Sequence, residues 1–339
     1  MEIMAADKKL WIAWENDGSI RSRVLAKAMN AQYYTFTRFE KSKRLFFLRY
    51  PLAMIQTFLA VAKKKPDVLI TPYPSLLLCF FAALIKPLFN YKLVIDEHTR
   101  YISPTGVKKI VIDFLSDYYY KRCDMVIVTN EPYKIRMKES VKNKEIFVLP
   151  DRIPNFDYTF KQTELKGKYN ILFICTFSYD EPWEEVIQAA TLLDKDIYIY
   201  ISGRNRLDPS NLPSNVVLTG FVPDKDYQNL LRSVDIVMVL TEKEECMVCG
   251  AYEAVAAGKP LILSDRKVLR EYFNRGTVFT KNNREALADA IRLAITRRYD
   301  LQKEIRFLKA VRNAEWKRQW NSLSEKISSW IQKNKGVFL

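Results

Sequence analysis

A chain of 339 residues is long enough for two domains of ordinary size, each with its own core. Its 48% hydrophobic content excludes a disordered chain, and no apolar run reaches the roughly 18 residues of a membrane span. Net charge is +15, and residues 1–160 hold 26 basic against 16 acidic side chains, so anionic partners are favoured: a phospholipid leaflet, a lipid diphosphate or nucleic acid.

The first strand is expected over residues 8–14 (KKLWIAW), followed by a Gly-containing loop at 15–19 and the helix IRSRVLAKAM. There is no G-x-G-x-x-G fingerprint, which counts against a dinucleotide cofactor. A second strand follows at 33–37 (YYTFT). The basic segment 38–50 then leads into a helix ending at AVAKKK. That helix reads either as sheet cover or as an interfacial segment, with Phe and Leu in headgroups and Lys41, Lys43, Arg44 and Arg49 on lipid phosphate.

Strands at 66–74 (PDVLITPYP), 92–98 (KLVIDEH) and 123–130 (CDMVIVTN) alternate with the helices SLLLCFFAALIKPLF and VKKIVIDFLSDYYYKR. A short helix and the segment EIFVLPDRIPNF close the first half. Such alternation argues for a parallel, doubly wound sheet. Pro150, Pro154 and the run KQTELKGK mark a linker over about 155–168.

The alternation restarts with strand NILFICTFS, helix WEEVIQAATLL, strands IYIYISG and NVVLTGF, and helix DYQNLLRSV. The stretch 235–265, DIVMVLTEKEECMVCGAYEAVAAGKPLILSD, reads as strand, loop, helix, turn, strand. Gly258 is placed to cap the helix and Pro260 to stop it. The N–H groups of Met247, Val248, Cys249 and Gly250 at the helix start suit an anion, and Glu245 and Glu253 bracket that start. An ionised Glu is an acceptor only, matched to ligands rich in hydroxyl donors. Three further helices follow: LREYF, NREALADAIRLAITRR and LQKEIRFLKAV. The last helix then carries Trp316, Trp320, Leu323, Ile327, Trp330 and Ile331 on one face. This stripe suits packing against the first domain, or alternatively a membrane contact.

His98 is the only histidine, at the carboxyl end of its strand and beside Asp96 and Glu97. It reads equally as structural or functional. The five cysteines are odd in number and lie mostly in apolar segments. With no signal peptide evident, reduced thiols and a cytoplasmic location are expected. Cys246-x-x-Cys249 has no second pair to complete a four-ligand site, so neither metal nor cofactor is expected.

Glu245-CMVCGAY-Glu253, followed by GKPLILSD, resembles the Glu-x7-Glu signature of family 4 glycosyltransferases, which have the GT-B architecture. The adjacent Glu244 can equally stand as the first Glu. The likeness is strong over about 170–280 and weaker over 8–156. It implies an α/β fold of two Rossmann-like domains facing each other across a cleft, with the C-terminal helix crossing back. The domains would be 1–157 for the acceptor, joined by helix 315–333, and 168–312 for the nucleotide sugar. It also implies roles. Glu245 lies near the donor sugar, Glu253 binds ribose, and His98 faces the sugar and its phosphate. The loop Asp17-Gly18-Ser19, with Arg21 and Arg23, approaches the diphosphate, and Gly220-Phe221-Val222 reads the base. Where the family places an Arg/Lys clamp, this chain has Thr176, Ser178, Asp180 and Glu181, leaving Arg204 and Lys243 as substitutes. FSYDEPWEEVIQA and VLPDRIPNF are also similar to the mannosyltransferase that extends chitobiosyl-diphosphodolichol, which inverts, whereas most Glu-x7-Glu enzymes retain.

The resemblance therefore implies metal-independent transfer of a hexose from a nucleotide diphosphate sugar to a lipid-linked glycan or polysaccharide precursor. The enzyme would work in the cytoplasm, peripherally on the inner face of an anionic membrane. The alternatives are a non-catalytic GT-B subunit that binds a nucleotide sugar or a partner, and a basic nucleic-acid-binding protein. No nucleic-acid module is recognisable, and none is expected as partner.

Overall fold

In a computed structural model the chain is described over residues 8–14, 19–38, 44–98, 106–141, 143–156, 159–205 and 207–336. It divides into two compact units, Met1–Pro150 with Trp316–Leu339, and Asp151–Glu315. Gly18, Lys41 and Lys43 lie outside the described residues.

The first unit runs β1 (Lys9–Ala13), α1 (Ile20–Ala28), β2 (Gln32–Thr35), α2 (Arg49–Lys64), β3 (Val68–Tyr73), α3 (Leu76–Phe89), β4 (Lys92–Glu97), α4 (Gly106–Arg122), β5 (Met125–Val128), α5 (Glu131–Ser140) and β6 (Glu145–Val148). Its six strands are all parallel, in the order β2-β1-β3-β4-β5-β6. The strands are apolar almost throughout because both faces are covered. Alternate side chains serve different cores. Leu10, Ile12, Leu69, Leu93, Ile95, Val126 and Val128 face α2 to α5. Trp11, Val68, Ile70, Val94, Met125 and Ile127 face the opposite layer, which α1 supplies in part.

The C-terminal stripe completes that second layer. Trp316, Leu323, Ile327 and Ile331 are buried there, and Trp320 and Trp330 are half-buried beside them. Trp316 stacks on Trp320, with centroids 5.4 Å apart, and its Nε1 donates to the Pro150 carbonyl at 3.1 Å. The stripe is sheet cover.

The second unit runs β7 (Tyr169–Phe173), α6 (Trp183–Ala190), β8 (Ile197–Ser202), β9 (Val216–Gly220), α7 (Asp224–Ser233), β10 (Ile236–Val239), α8 (Cys249–Ala257), β11 (Leu261–Ser264), α9 (Lys267–Tyr272), β12 (Thr277–Thr280), α10 (Arg284–Thr296) and the start of α11 (Arg298–Gly336). Its parallel order is β12-β11-β10-β7-β8-β9. Two elements differ from the sequence reading. β12 was not anticipated, because a four-residue edge strand pairing only with β11 carries too little pattern. The last two expected helices are one continuous α11, since no Pro or Gly interrupts residues 298–335. Gly258 adopts φ 70° at the end of α8, the left-handed cap that only a residue without Cβ takes at low cost.

The polar run before β7 is tied to its own unit. The N–H groups of Lys161, Thr163 and Lys166 donate to Asn229 Oδ1, Ser233 Oγ and the Tyr200 hydroxyl at 2.9, 2.8 and 2.7 Å.

Leu323 is fully buried under the first sheet, whereas Asn321 is exposed on the same helix. Leu323→Ala should therefore cost about 2–5 kcal/mol in urea denaturation, and Asn321→Ala under about 0.5 kcal/mol. Equal effects would mean that packing does not hold the helix.

Candidate functional site

In the second unit β7 and β10 are neighbours whose connections leave in opposite directions, the arrangement that opens a crevice at the strand ends. Two loops meet there, one after β7 and one after β10.

Carboxylates organise both loops. Glu181 Oε2 accepts from Thr176 N at 2.8 Å, Thr176 Oγ1 at 3.0 Å and Ser178 N at 2.9 Å. Asp180 is buried and joins the loops: it accepts from Ser178 Oγ at 2.7 Å and Thr241 Oγ1 at 3.0 Å, and Lys243 Nζ lies 3.1 Å away. Burial works to raise the Asp180 carboxyl, but these donors outweigh it and hold it below its ordinary value of 3.8. For Lys243 burial alone would lower the ammonium, and Asp180 instead holds it above its ordinary value. Thr176, Ser178 and Lys243 are thus committed to the loops' own acids. Sequence reasoning noticed Asp180 and Glu181 only as a missing clamp.

The neighbouring glutamates part company. Glu244 is exposed and pairs with Arg266 at 2.5 Å, as Glu242 does at 2.6 Å. Glu245 is half-buried, with Oε2 shielded from solvent.

Helix α8 then begins at Cys249 behind Val248, whose side chain gives no cap bond. A helix start without a side-chain cap retains N–H donors for an anion. Met247, Val248 and Gly250 are buried and Cys249 is exposed. A Cβ at Gly250 would stand 2.9 Å from Ile174 Cδ1, so glycine lets the helix approach the end of β7. Burial raises the Cys246 thiol to about 11, which leaves it protonated at neutral pH. None of the five cysteines is in a disulfide, and among the described residues no acidic, Cys or His cluster could hold a metal.

Glu253, one to two turns into α8, receives a hydrogen bond from the Tyr227 hydroxyl of α7. Burial raises its carboxyl above the ordinary 4.5, and Tyr227 partly opposes this. Tyr227 was missed in the sequence because one tyrosine in an amphipathic helix carries no signal of its target. At the end of β9, Gly220 turns the chain at φ 66° towards Phe221, which is exposed with the Arg204 guanidinium 4.7 Å from its ring centroid. A cavity of about 410 Å³ between residues 161–165, β9 and α7 takes in Val222 alone of the expected site residues, so it is not the α8 crevice.

In the first unit His98 follows β4 and is half-buried, its Nδ1 3.8 Å from Asp96 Oδ2. Asp96 is fully buried and gripped by Arg21, with Nε at 3.1 and 3.0 Å from the two oxygens and Nη2 at 2.9 Å from Oδ1. Arg21 also donates to the Leu149 carbonyl at 3.0 Å, so its charge holds the sheet edge together. Ser19 is the N-cap of α1, its Oγ accepting from Ser22 N at 3.0 Å. Glu97 is buried beneath the Tyr133 hydroxyl at 2.6 Å and the Tyr120 hydroxyl.

Residues 155–312 match the family model described as glycosyl transferases, group 1. Solved structures agree over nearly the whole chain. Sucrose-phosphate synthase from Thermosynechococcus elongatus is 15% identical, with a TM-score of 0.73 over 97% of this chain and 100% of that one. A glycosyltransferase from Rickettsia africae is 15% identical, with a TM-score of 0.71 over 96% and 99%. Anabaena HepE, in complex with UDP-glucose, is 12% identical, with a TM-score of 0.65 over 95% and 91%. The fold is GT-B. With the group 1 match this supports a glycosyltransferase. A search of curated proteins finds no match.

Because the Asp180 carboxyl is held low in the folded state, its contribution to stability is present above pH 3.8 and lost as pH falls through the lowered value. Urea midpoints measured at descending pH should therefore fall more steeply in the wild type than in Asp180→Asn. Parallel curves would remove Asp180 from the linkage between the loops.

Proposed function

We propose that the chain is a family 4-like, metal-independent hexosyltransferase that draws on a nucleotide diphosphate sugar. The observation that carries this reading is the half-buried pair Glu245 and Glu253 on either side of the open start of α8, within the group 1 match. Glu253, oriented by Tyr227, accepts hydrogen bonds from the ribose hydroxyls. Glu245 holds the sugar hydroxyls or the positive charge that develops at the anomeric carbon. The departing diphosphate is stabilised by the α8 N–H groups and the helix dipole. His98 serves the sugar or its phosphate, and the turn Gly220-Phe221-Val222 meets the base. The UDP-glucose complex of HepE supports a nucleotide sugar as donor.

The acceptor in this reading is a lipid-linked glycan or polysaccharide precursor, met on the cytoplasmic face. The basic excess of the first half supports it, as does the exposure of Leu45, Phe47 and Leu48 in the segment 38–50. Among the described residues no helix is long and apolar enough to cross a membrane. Likeness to the chitobiosyl-diphosphodolichol enzyme implies inversion and the Glu-x7-Glu pattern retention, a choice that the anomer of the product decides. A non-catalytic subunit is the second reading, favoured by the engagement of Thr176, Ser178 and Lys243 with loop carboxylates.

Glu253→Gln should weaken the preferred nucleotide by about 1–3 kcal/mol in calorimetry. In the wild type, affinity should also decline as pH falls towards the raised Glu253 value, because a protonated carboxyl loses acceptor capacity, and the Gln variant should lack this dependence. Unchanged affinity in a folded variant would move the ribose contact elsewhere.

Enzyme and binder separate on His98. Donor hydrolysis or transfer should fall by roughly 10–1,000-fold in His98→Ala, with nucleotide affinity nearly unchanged. No turnover by the wild type with any donor would favour the binder, and full activity in the variant would make His98 structural.

A further inference from the structure

Two fully buried acids, Asp96 and Glu97, precede the chain's only histidine. Successive side chains of a strand point to opposite faces, so each acid needs its own partners. Glu97 turns to the layer of α4 and α5, where the Tyr133 hydroxyl donates to Oε1 at 2.6 Å and the Tyr120 hydroxyl to Oε2. Asp96 turns to the other layer, where the Arg21 guanidinium of α1 takes both of its oxygens. The His98 carbonyl in turn accepts from Thr129 Oγ1 at 3.4 Å, and Asn130 Nδ2 donates to that hydroxyl at 3.1 Å. The backbone at His98 is thus anchored to α1, α4, α5 and the end of β5.

That anchoring sets the imidazole against a fixed charge. Asp96 Oδ2 lies 3.8 Å from His98 Nδ1, and the same oxygen accepts from Arg21 Nε at 3.0 Å. Nδ1 is shielded from solvent, although the His98 side chain as a whole is 20% exposed. A neutral imidazole carries one proton, on either nitrogen, and its neighbours decide which. If Nδ1 were bare, its lone pair would face those of a carboxylate at a point closed to water, and the two would repel. With the proton on Nδ1 the same pair attracts. The proton therefore belongs on Nδ1, and Nε2 is left as a hydrogen-bond acceptor.

Arg21 fixes this arrangement. It is buried, and its donation to the Leu149 carbonyl at 3.0 Å holds it in place. A guanidinium fork sets the plane of the carboxylate that it grips, and that carboxylate faces the ring. The arginine that the family likeness sends to the diphosphate is thereby committed to orienting the histidine.

We propose that Asp96, held by Arg21, is a positioning residue that keeps His98 as its Nδ1-protonated tautomer and presents the Nε2 lone pair to a sugar hydroxyl. An acceptor nitrogen matches a hydroxyl donor and repels a phosphate oxygen. Of the two ligands open to His98, the sugar is therefore the one it serves. This rests on the reading of His98 as a donor-site residue, but the tautomer it claims requires no turnover.

The test is long-range proton–nitrogen correlation NMR of the isotopically labelled full chain, at a pH where imidazole is neutral. With a single histidine, the two ring nitrogens are read without ambiguity. The wild type should favour Nδ1–H over Nε2–H by at least about tenfold. Asp96→Asn should abolish that preference. Because this variant leaves the Arg21 charge buried without its partner, Arg21→Gln with Asp96→Asn, which removes both charges, is the second variant, and melting curves establish folding. Should neither fold, the wild-type spectrum decides. Turnover gives the other readout. Asp96→Asn should lower kcat by about tenfold or more with nucleotide affinity unchanged, and should add no further loss in a His98→Ala background. A merely structural Asp96 would cost as much in either background. An Nε2–H tautomer in the wild type, an unchanged preference in a folded variant, or a full further loss in the His98→Ala background would overturn the proposal. Full activity of His98→Ala would overturn the role given to His98 itself, whereas an Nε2–H signal beside a lowered activity of His98→Ala would overturn this proposal alone.

Discussion

In a parallel sheet every strand must return through a crossover, so every strand delivers its last residue to the same edge. Each unit here obeys that constraint with six strands. Residues far apart in sequence are consequently collected without a long-range pairing of their own. Thr176, Lys243 and Glu245 follow strands β7 and β10, which lie side by side although two strands and two helices separate them in the chain. His98 follows β4 in the first unit by the same logic. The chemistry of the loops can vary because the strands beneath them are largely apolar and the central ones are fixed by burial on both faces.

Acids control the bases at both edges. Arg21 is consumed by buried Asp96, Lys243 by Asp180, and Arg266 by Glu242 and Glu244. A buried ion pair is weak evidence for stability, but loss of one partner leaves a costly unpaired charge. Asp180 is the sharper case, since its hydrogen bonds span both loops of the crevice. With the cations so engaged, a bound diphosphate would depend on fixed donors, above all the start of α8. Backbone N–H groups need no reorganisation when the anion arrives, which suits a role in stabilising a leaving group.

Much of the fold was legible because buried strands are apolar runs and crossover helices are long. The C-terminal stripe illustrates this: spacing by threes and fours named Trp316, Leu323, Ile327 and Ile331, and all four are buried under the first sheet. The spacing alone left open what covered them. The same spacing misleads on α4, where Val107, Ile110, Val111 and Phe114 look like a core face yet are exposed, because periodicity reports an apolar stripe and not its neighbour. β12 was invisible because its only support is one adjacent strand. The placement of Glu245 before α8 and of Glu253 within it was legible through the flanking strand, cap and Pro. The bond from Tyr227 to Glu253 and the grip of Glu181 on Thr176 and Ser178 were not, since both depend on side-chain direction after folding.

The central claim is that the open start of α8 takes the second phosphate of a nucleotide sugar. A thermal-shift series with uridine, guanosine and adenosine mono- and diphosphates tests it most directly. At a hundredfold excess over its dissociation constant a ligand adds about 2.7 kcal/mol of stability, enough for a clear rise in melting temperature. The account predicts that one diphosphate raises the melting temperature well above the effect of its own monophosphate. No shift with any nucleotide, or equal shifts for mono- and diphosphate of the same base, would contradict it.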